Sequence, residues 1–152
     1  MFFNIKPCFW MIKTQSSIQI SGNYLLKKSW NNFRLVWRKL ENYERAIDSY
    51  TKELFFSREN QKTYNNRAYC YAKIGKFKEA ISDYTKALSI DGKNIHALHN
   101  RGICYERIGL FRNVNISVRK LNEQAIEDFT GVITLNKNNA NAYFNRGCCY
   151  DR

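Results

Sequence analysis

Proline is almost absent from this sequence of 152 residues: the only one is Pro7, and glycine occurs just seven times. Because these two residues most often interrupt helices or form tight turns, their scarcity argues against a turn-rich β architecture. Hydrophobic residues make up 44% of the chain and aromatic residues 15%, which is too much for a disordered polymer. The composition therefore predicts a folded, all-α protein.

The sequence also lacks the cysteine patterns of metal and redox sites. Its five cysteines form no CxxC pair and no Cys/His spacing suited to zinc, so a reduced compartment is the simpler interpretation. The longest strongly apolar stretch, residues 1–12, is interrupted by Lys6 and Pro7 and is shorter than the ~20 residues that cross a bilayer. It also has no basic start and no small-residue cleavage site of a secretory signal. We expect a cytoplasmic protein with no membrane span and no cofactor.

Acidic residues are scarce: 13 Asp and Glu stand against 25 Lys and Arg, a formal net charge of +12, and none precedes Glu41. This excess favours acidic peptides, nucleic acid or anionic lipid as partners without selecting among them. Residues 1–26 fit no repeat, and we interpret them as an irregular or disordered leader. An organelle-import presequence is the alternative, because the segment is basic, contains hydroxyl side chains and lacks acids.

Motifs of catalysis are missing as well. The sequence has no nucleophile elbow, no glycine-rich phosphate loop and no HExxH. His96 and His99 lie one helical turn apart, but the nearby sequence offers no third metal ligand. We expect no enzymatic activity, no catalytic residue and no metal site.

What the sequence does contain is an internal repeat. The block Asn-Arg-small-x-Cys-Tyr occurs at 66–71, 100–105 and 145–150, with intervals of 34 and then 45 residues. A second block begins with Ala-Ile and contains an aromatic residue followed by Thr. It occurs with the same intervals at 46–52, 80–86 and 125–130. Because both blocks shift together, chance similarity is improbable.

The longer interval places eleven extra residues (45 less 34) in the third unit, between Gly109 and Ala125. This insert, near 110–120, is rich in β-branched residues and asparagine, which have low helix propensity and so favour continuation of neither the helix before it nor the helix after it. We predict an enlarged turn between paired helices rather than a helical extension. Non-native coding sequence, such as a retained intron, is the alternative.

The apolar spacing within each unit is helical. Tyr64, Ala68 and Tyr71 are separated by three or four residues, as are the apolar residues of the second block, so each block forms one stripe on a helix. Gly75 and Gly109 are predicted where the first helix ends and the chain reverses. Small residues at 46, 68, 80, 102, 125 and 147 allow close approach of the helices, and aromatic residues at 50, 84 and 129 fill the adjoining space. One hairpin cannot bury its own stripe, so successive hairpins are expected to stack.

These residues resemble the tetratricopeptide repeat, whose 34-residue unit reads W-x2-L-G-x2-Y, then A-x3-F. The unit at 61–94 reads Tyr64-x2-Arg67-Ala68-x2-Tyr71, then Ala80-x3-Tyr84. The resemblance implies an all-α, right-handed superhelix of stacked antiparallel helical hairpins. The expected array covers 27–152: a degenerate repeat at 27–60, repeats at 61–94 and 95–139, and the first helix of a truncated repeat at 140–152.

The family resemblance also implies a function, because such repeats bind peptides or disordered segments of other proteins on their concave face. We expect a protein-interaction scaffold with a mostly basic groove that receives acidic or C-terminal peptide segments. A solvated helix face is the alternative for the groove, and a non-enzymatic RNA-binding helical-repeat protein is the alternative for the function. The residues that the resemblance assigns to partner binding are Lys28, Asn31, Arg38, Lys62, Asn65, Tyr69, Lys73, His96, His99 and Arg107.

One subset of the family grips the C-terminal Glu-Glu-Val-Asp tail of chaperones with a fixed set of Lys, Asn and Arg. Leu35 and Tyr69 stand where that clamp needs Asn, and Asn100 and Asn145 stand where its Arg would lie. These departures argue against a chaperone clamp. A first helix at 140–152 without a second helix predicts self-association through this helix, or a fragment of a longer array.

The recurring Asn-Arg pairs are interpreted as structural. We expect the asparagines to satisfy backbone groups of the next hairpin and the arginine stems to cover apolar neighbours with their charges in water. Cys70, Cys104 and Cys149 share one phase of the repeat and are predicted to be small buried side chains rather than reactive thiols.

Overall fold

The fold is a row of helices in antiparallel pairs. The computed structural model describes residues 35–110 and 116–151, and these contain helices and turns but no strand. The helices are α1 (residues 35–39), α2 (Tyr43–Phe56), α3 (Gln61–Lys73), α4 (Phe77–Ile90), α5 (Ile95–Leu110), α6 (Ile116–Leu135) and α7 (Ala140–Tyr150). Each helix from α2 onward packs against the next one, and α3–α4 and α5–α6 form hairpins. The predicted all-α architecture of stacked helical hairpins is thus confirmed.

Asparagine begins four of these helices. The side-chain oxygens of Asn42, Asn60, Asn94 and Asn139 each accept a hydrogen bond from the backbone N–H three residues later, at 3.0–3.2 Å. This satisfies a donor that has no partner within the helix, and replacing such a cap by alanine typically costs about 1 kcal/mol. The caps before α3, α5 and α7 recur with the repeat and fix where each of these helices starts.

Gly75 reverses the chain between α3 and α4. Its φ of 77° lies in the left-handed region, which glycine adopts without a Cβ clash, as predicted. Gly109 was expected to do the same in the next unit, and that prediction is wrong. Gly109 lies inside α5, is buried, and an added Cβ would lie 3.3 Å from Asn122 Oδ1 and 3.8 Å from Val118 of α6.

The insert, predicted as an enlarged turn, is helical from Ile116 onward, and residues 111–115 lie outside the described part of the chain. α5 continues to Leu110 and α6 already begins at Ile116, so part of the insert extends the second helix. Helix propensity argued against this, but Gly109 of α5 packs on the added turns of α6 at Val118 and Asn122. Burial between the two lengthened helices outweighs the weak intrinsic preference of β-branched residues.

Small and aromatic residues alternate in the core as the repeat predicts. Ala46, Ala68, Ala80 and Ala125 are fully buried, and so are the aromatic side chains of Tyr50, Tyr84 and Phe129. Gly102 shows why a small residue is needed, since an added Cβ would lie 2.9 Å from the Phe129 ring. The prediction for the three repeated cysteines is confirmed: Cys70, Cys104 and Cys149 are at most 3% exposed.

Arginine side chains tie successive helices together. On α3, Arg67 donates from Nε and Nη2 to the two carboxylate oxygens of Asp83 on α4, at 2.6 and 2.8 Å. From Nη1 it donates to Thr51 Oγ1 on α2, at 2.9 Å. One side chain therefore bridges the preceding helix and the following one. We call this arrangement the arginine bridge.

The arginine bridge recurs one repeat later. Arg101 on α5 donates to both Asp128 oxygens on α6 at 2.9 and 2.7 Å, and to Thr85 Oγ1 on α4 at 3.0 Å. This corrects the prediction that the arginine charges lie in water, because the partner carboxylates of Arg67 and Arg101 are only 5% and 4% exposed. The family pattern has an apolar residue at this position, so composition alone gave no sign of a buried ion pair.

Burial and pairing act in opposite directions on the Arg101–Asp128 pair. The hydrogen bond with Asp128 raises the pKa of Arg101 and so favours its charge. Burial raises the pKa of the Asp128 carboxyl, against the lowering effect of Arg101. Pairing therefore offsets the desolvation cost of the arginine more fully than the desolvation cost of the carboxylate.

Candidate functional site

A groove opens between α3 and α5, the first helices of successive hairpins. We call it the α3/α5 groove; its volume is about 390 Å³. Its residues come from both helices and from α4 beneath them: Tyr69, Ala72, Lys73, Phe77, Tyr84, Asn100, Ile103, Cys104 and Arg107. Aromatic and aliphatic side chains form most of this lining, and cationic groups lie on it from both first helices. Such a surface can bind an extended chain that carries apolar and acidic side chains.

A second groove continues from the first between α5 and α7. This α5/α7 groove has a volume of about 380 Å³ and shares Asn100 with its neighbour. Its lining is polar and rich in asparagine: Ile95, His96, His99, Asn100, Asn136, Asn139 and Asn141. Asparagine offers both a donor and an acceptor, so this part of the surface suits the backbone amides of an extended peptide.

Neither groove is lined by Asp or Glu. Lys73 and Arg107 are both exposed at the α3/α5 groove, and the Lys73 ammonium lies 5.4 Å from the centre of the Tyr69 ring. This cation–π contact holds the charge over an apolar surface. The electrostatic environment of the groove therefore favours anionic side chains.

His99 is the titratable group between the two grooves. Burial lowers its pKa, and the neighbouring His96 lowers it further, so the ring is neutral at pH 7. Its Nδ1 atom is buried and makes no hydrogen bond to any described residue. The ring packs edge-on against Phe129 at a centroid distance of 5.6 Å. A neutral imidazole in this position can exchange one hydrogen bond with a bound backbone group.

The structure brings five of the predicted site residues to these grooves: Tyr69, Lys73, His96, His99 and Arg107. Lys62 is exposed and Asn65 is half-buried, but neither lines the α3/α5 or the α5/α7 groove. Arg38 donates from Nη1 to Asn66 Oδ1 at 3.1 Å, which links α1 to α3. Predicted site residues Lys28 and Asn31 lie outside the described residues.

Sequence reasoning missed the apolar floor at Phe77 and Tyr84 and the polar wall at Asn136, Asn139 and Asn141. The floor residues belong to a second helix, which the repeat pattern assigned to the core. The asparagine-rich run at 136–141 lies where the repeat at 95–139 meets the one at 140–152, and the sequence analysis assigned it no role. Within the described residues there is no cluster of three or more His, Cys, Asp or Glu able to hold a metal ion. No helix in that part of the chain is long and apolar enough to cross a membrane.

Comparison with known proteins gives the same architecture. A sequence model of the tetratricopeptide repeat matches residues 62–94. Among curated proteins no significant match was found. The OM64 TPR domain of Arabidopsis superposes with a TM-score of 0.71 at 23% identity, over 83% of this chain and 95% of that one.

Two similar solved structures contain bound peptides. One is the second TPR domain of human RPAP3, in complex with the HSP70 peptide SGPTIEEVD. It is 27% identical and has a TM-score of 0.71, and the match covers 85% of this chain and 98% of that one. The other is the first TPR of Spaghetti (RPAP3), bound to the HSP90 peptide SRMEEVD. It is 26% identical and has a TM-score of 0.67, and the match covers 84% of this chain and 90% of that one. The fold and the repeat define the chain as a solenoid of stacked helical hairpins. Within that class, residues 62–94 match the tetratricopeptide repeat, and the described chain is similar in fold to the TPR domains named above.

Proposed function

We propose that the chain is a non-enzymatic interaction module that binds an extended acidic peptide segment of a partner protein along the α3/α5 and α5/α7 grooves. The observation that carries this proposal is the combination of two exposed cations, Lys73 and Arg107, with an apolar floor and a lining free of acids. The peptide-bound TPR domains of RPAP3 and Spaghetti support the general mode of binding.

Each part of the grooves has a role in this proposal. Lys73 and Arg107 pair with Asp or Glu side chains, and exposed ion pairs of this kind contribute about 0.2–1 kcal/mol each. Tyr69 and Ile103 cover an apolar side chain of the peptide. Asn100 and the other groove asparagines bind backbone amides, which holds the peptide extended without selecting its sequence.

The mode of carboxylate recognition differs from that of a chaperone clamp. Tyr69 and Asn100 stand where the clamp has Asn and Arg, so a free C-terminal carboxylate has no fixed cation at those positions. The proposal therefore places the specificity in internal acidic side chains. A peptide ending in EEVD should bind no more tightly than the same peptide with an amidated C-terminus.

Charge reversal tests the groove. Fluorescently labelled acidic and neutral peptide pools are titrated against the full chain and against the Lys73→Glu/Arg107→Glu variant. The matched control is Lys78→Glu/Lys93→Glu, because these two lysines are also exposed but line neither groove. We expect the groove variant to bind acidic peptides at least tenfold more weakly and the control to change less than twofold. Lys62→Glu measures separately whether that residue takes part.

Equal binding by both double variants would refute the proposed groove. RNA is the competing ligand for a chain of net charge +12, so the same titration is repeated with an unlabelled RNA pool as competitor. If RNA displaces the peptide and binds more tightly at physiological salt, the peptide-binding function is wrong.

A further inference from the structure

The α3/α5 groove changes in character along its length. At one end lies Asn100, which the two grooves share. Tyr69 on α3 and Ile103 on α5 form an apolar middle, and Lys73 and Arg107 lie at the other end. Each cation follows its apolar neighbour by four residues, which is about 6 Å along a helix. Along α5 the groove is therefore polar, then apolar, then cationic.

The direction of this gradient decides which part of a peptide can follow it. In the proposed complex the peptide main chain passes from the α3/α5 groove to the α5/α7 groove, so it crosses α5. The apolar middle and the cationic end are instead separated along the axis of α5. Successive residues of the peptide are displaced across the groove, whereas one long side chain that leaves the main chain near Asn100 lies along it. A single side chain can therefore contact both parts.

The cationic end has two charges without an internal partner. Neither Lys73 nor Arg107 forms an ion pair with a carboxylate of the described residues, and the two come from successive first helices. No Asp or Glu lines this groove. Two cations at one end of a groove suit a doubly charged anion, because each cation then keeps its own charge-assisted hydrogen bond. A phosphate monoester carries a charge of about −1.5 to −2 at pH 7.

The apolar middle selects the body of the ligand. Tyr69 and Ile103 lie over Phe77 and Tyr84 of α4, and the groove volume of about 390 Å³ admits an aromatic ring. The carboxylates of Asp and Glu and the phosphate of phosphoserine end too close to the main chain to cover this surface and reach the cations as well. A tyrosine ring covers it, and a phosphate on the tyrosine oxygen continues along the ring axis toward the cationic end.

We propose that the α3/α5 groove recognises phosphotyrosine in an extended segment of the partner protein. The ring lies between Tyr69 and Ile103, and the phosphate accepts hydrogen bonds from Lys73 and Arg107. The main chain passes Asn100 into the α5/α7 groove. This inference rests on the proposed peptide-binding function and adds that the apolar group and the anion belong to one side chain. Tyrosine phosphorylation of the partner therefore switches the binding on.

The probe is a set of four synthetic peptides that differ at one central residue: tyrosine, phosphotyrosine, phosphoserine or glutamate. Their other residues are uncharged except for one aspartate, and calorimetry measures their affinities for the full chain. We expect phosphotyrosine to bind at least tenfold more tightly than tyrosine and at least fivefold more tightly than phosphoserine or glutamate. Phenyl phosphate should displace the phosphotyrosine peptide at a concentration at which inorganic phosphate does not, because only phenyl phosphate fills the apolar middle.

Variants separate the anion from the ring. Lys73→Ala/Arg107→Ala should remove most of the preference for phosphotyrosine over tyrosine. The matched control Lys78→Ala/Lys93→Ala should keep it, because these lysines are exposed but line neither groove. Ile103→Asn should lower the affinity for phosphotyrosine toward that for phosphoserine and leave the affinity for phosphoserine unchanged. Circular dichroism checks that each variant remains folded, and each preference is a ratio within one variant, so partial unfolding does not alter it.

The outcomes distinguish this inference from the function on which it rests. Equal affinities for phosphotyrosine and tyrosine, both lost in Lys73→Glu/Arg107→Glu, would leave peptide binding intact and overturn phosphotyrosine recognition. Phosphoserine that binds as tightly as phosphotyrosine would overturn it too, because the groove would then read the anion alone. A preference that survives Lys73→Ala/Arg107→Ala would assign the phosphate to another surface. Absence of binding by all four peptides would contradict the inference and the peptide-binding function together.

Discussion

The two halves of the Arg101–Asp128 pair should differ in what their removal costs. We compare Arg101→Met, which keeps the apolar stem and removes the charge, with Asp128→Asn, which keeps the shape and removes the charge. The side chains are 20% and 4% exposed, respectively. Arg101→Met removes both hydrogen bonds to Asp128 and the one to Thr85, whereas Asp128→Asn keeps one acceptor oxygen and the bond to Thr85, so the two variants leave different groups behind.

The expected costs follow from that remaining group. Arg101→Met leaves a carboxylate that cannot reach water, and breaking a buried pair in this way costs about 3–5 kcal/mol. Asp128→Asn leaves a guanidinium that is partly solvated and still donates to Thr85 at 3.0 Å, so the cost is about 1–3 kcal/mol. The double variant Arg101→Met/Asp128→Leu removes both charges and should be more stable than Arg101→Met alone.

Equilibrium unfolding in urea measures these differences, since guanidinium chloride would screen the charges. The pH dependence gives a second check. Burial raises the pKa of Asp128 above its ordinary value of 3.8, so the folded state takes up the proton more readily than the unfolded state. Stability from this group is therefore gained as the pH falls through the folded-state pKa and lost as the pH rises through it. Arg101→Met enlarges this effect by removing the opposing charge.

Three results would refute this reasoning. The first is a greater loss for Asp128→Asn than for Arg101→Met. The second is a double variant that is no more stable than Arg101→Met. The third is a destabilisation of Arg101→Met that stays constant between neutral and mildly acidic pH.

Further predictions concern glycine and cysteine. Gly102→Ala should destabilise the fold by about 1–3 kcal/mol because the new Cβ meets the Phe129 ring. Gly147→Ala should stabilise it by up to ~1 kcal/mol, since a Cβ at this helical position meets nothing within 4 Å. Urea unfolding compares the two variants, and equal effects would contradict the packing. Gly75→Ala should cost about 1 kcal/mol or more in the same assay because φ is 77°, and a neutral result would count against the left-handed turn. Burial raises the pKa of Cys70 to about 11 and that of Cys104 to about 12. Both thiols should therefore resist alkylation at pH 8 until urea unfolds the chain. Rapid labelling of the native protein would contradict their burial.

Much of the fold follows from the spacing of a few residues. The recurrence of Ala68 with Tyr84 and of Gly102 with Phe129 was sufficient to predict stacked hairpins, because small-to-large packing is repeated in phase. The role of the insert did not follow from propensity. Val118 and Asn122 lie on the added turns of α6 and pack beside Gly109 of α5, a contact between helices that propensity does not register.

The candidate site was predicted less completely than the fold. Lys73 and Arg107 were expected from the positions that the family resemblance assigns to partner binding, and both line the α3/α5 groove. Phe77 could not be assigned to the groove from its own hydrophobic stripe, since the stripe does not distinguish a buried face from a groove floor. The arginine bridge was missed because an Arg-Asp pair 16 or 27 residues apart in sequence becomes visible only when the helices are placed side by side.

The central claim is that peptide binding occurs between the first helices of the hairpins. The most direct measurement is a titration of the isotope-labelled full chain with an acidic peptide, followed by amide chemical shifts. The account predicts that the largest changes cluster at Tyr69, Lys73, Ile103 and Arg107 and disappear in Lys73→Glu/Arg107→Glu. Shifts concentrated on the exposed face of α4 and α6, or an identical pattern in that variant, would contradict it.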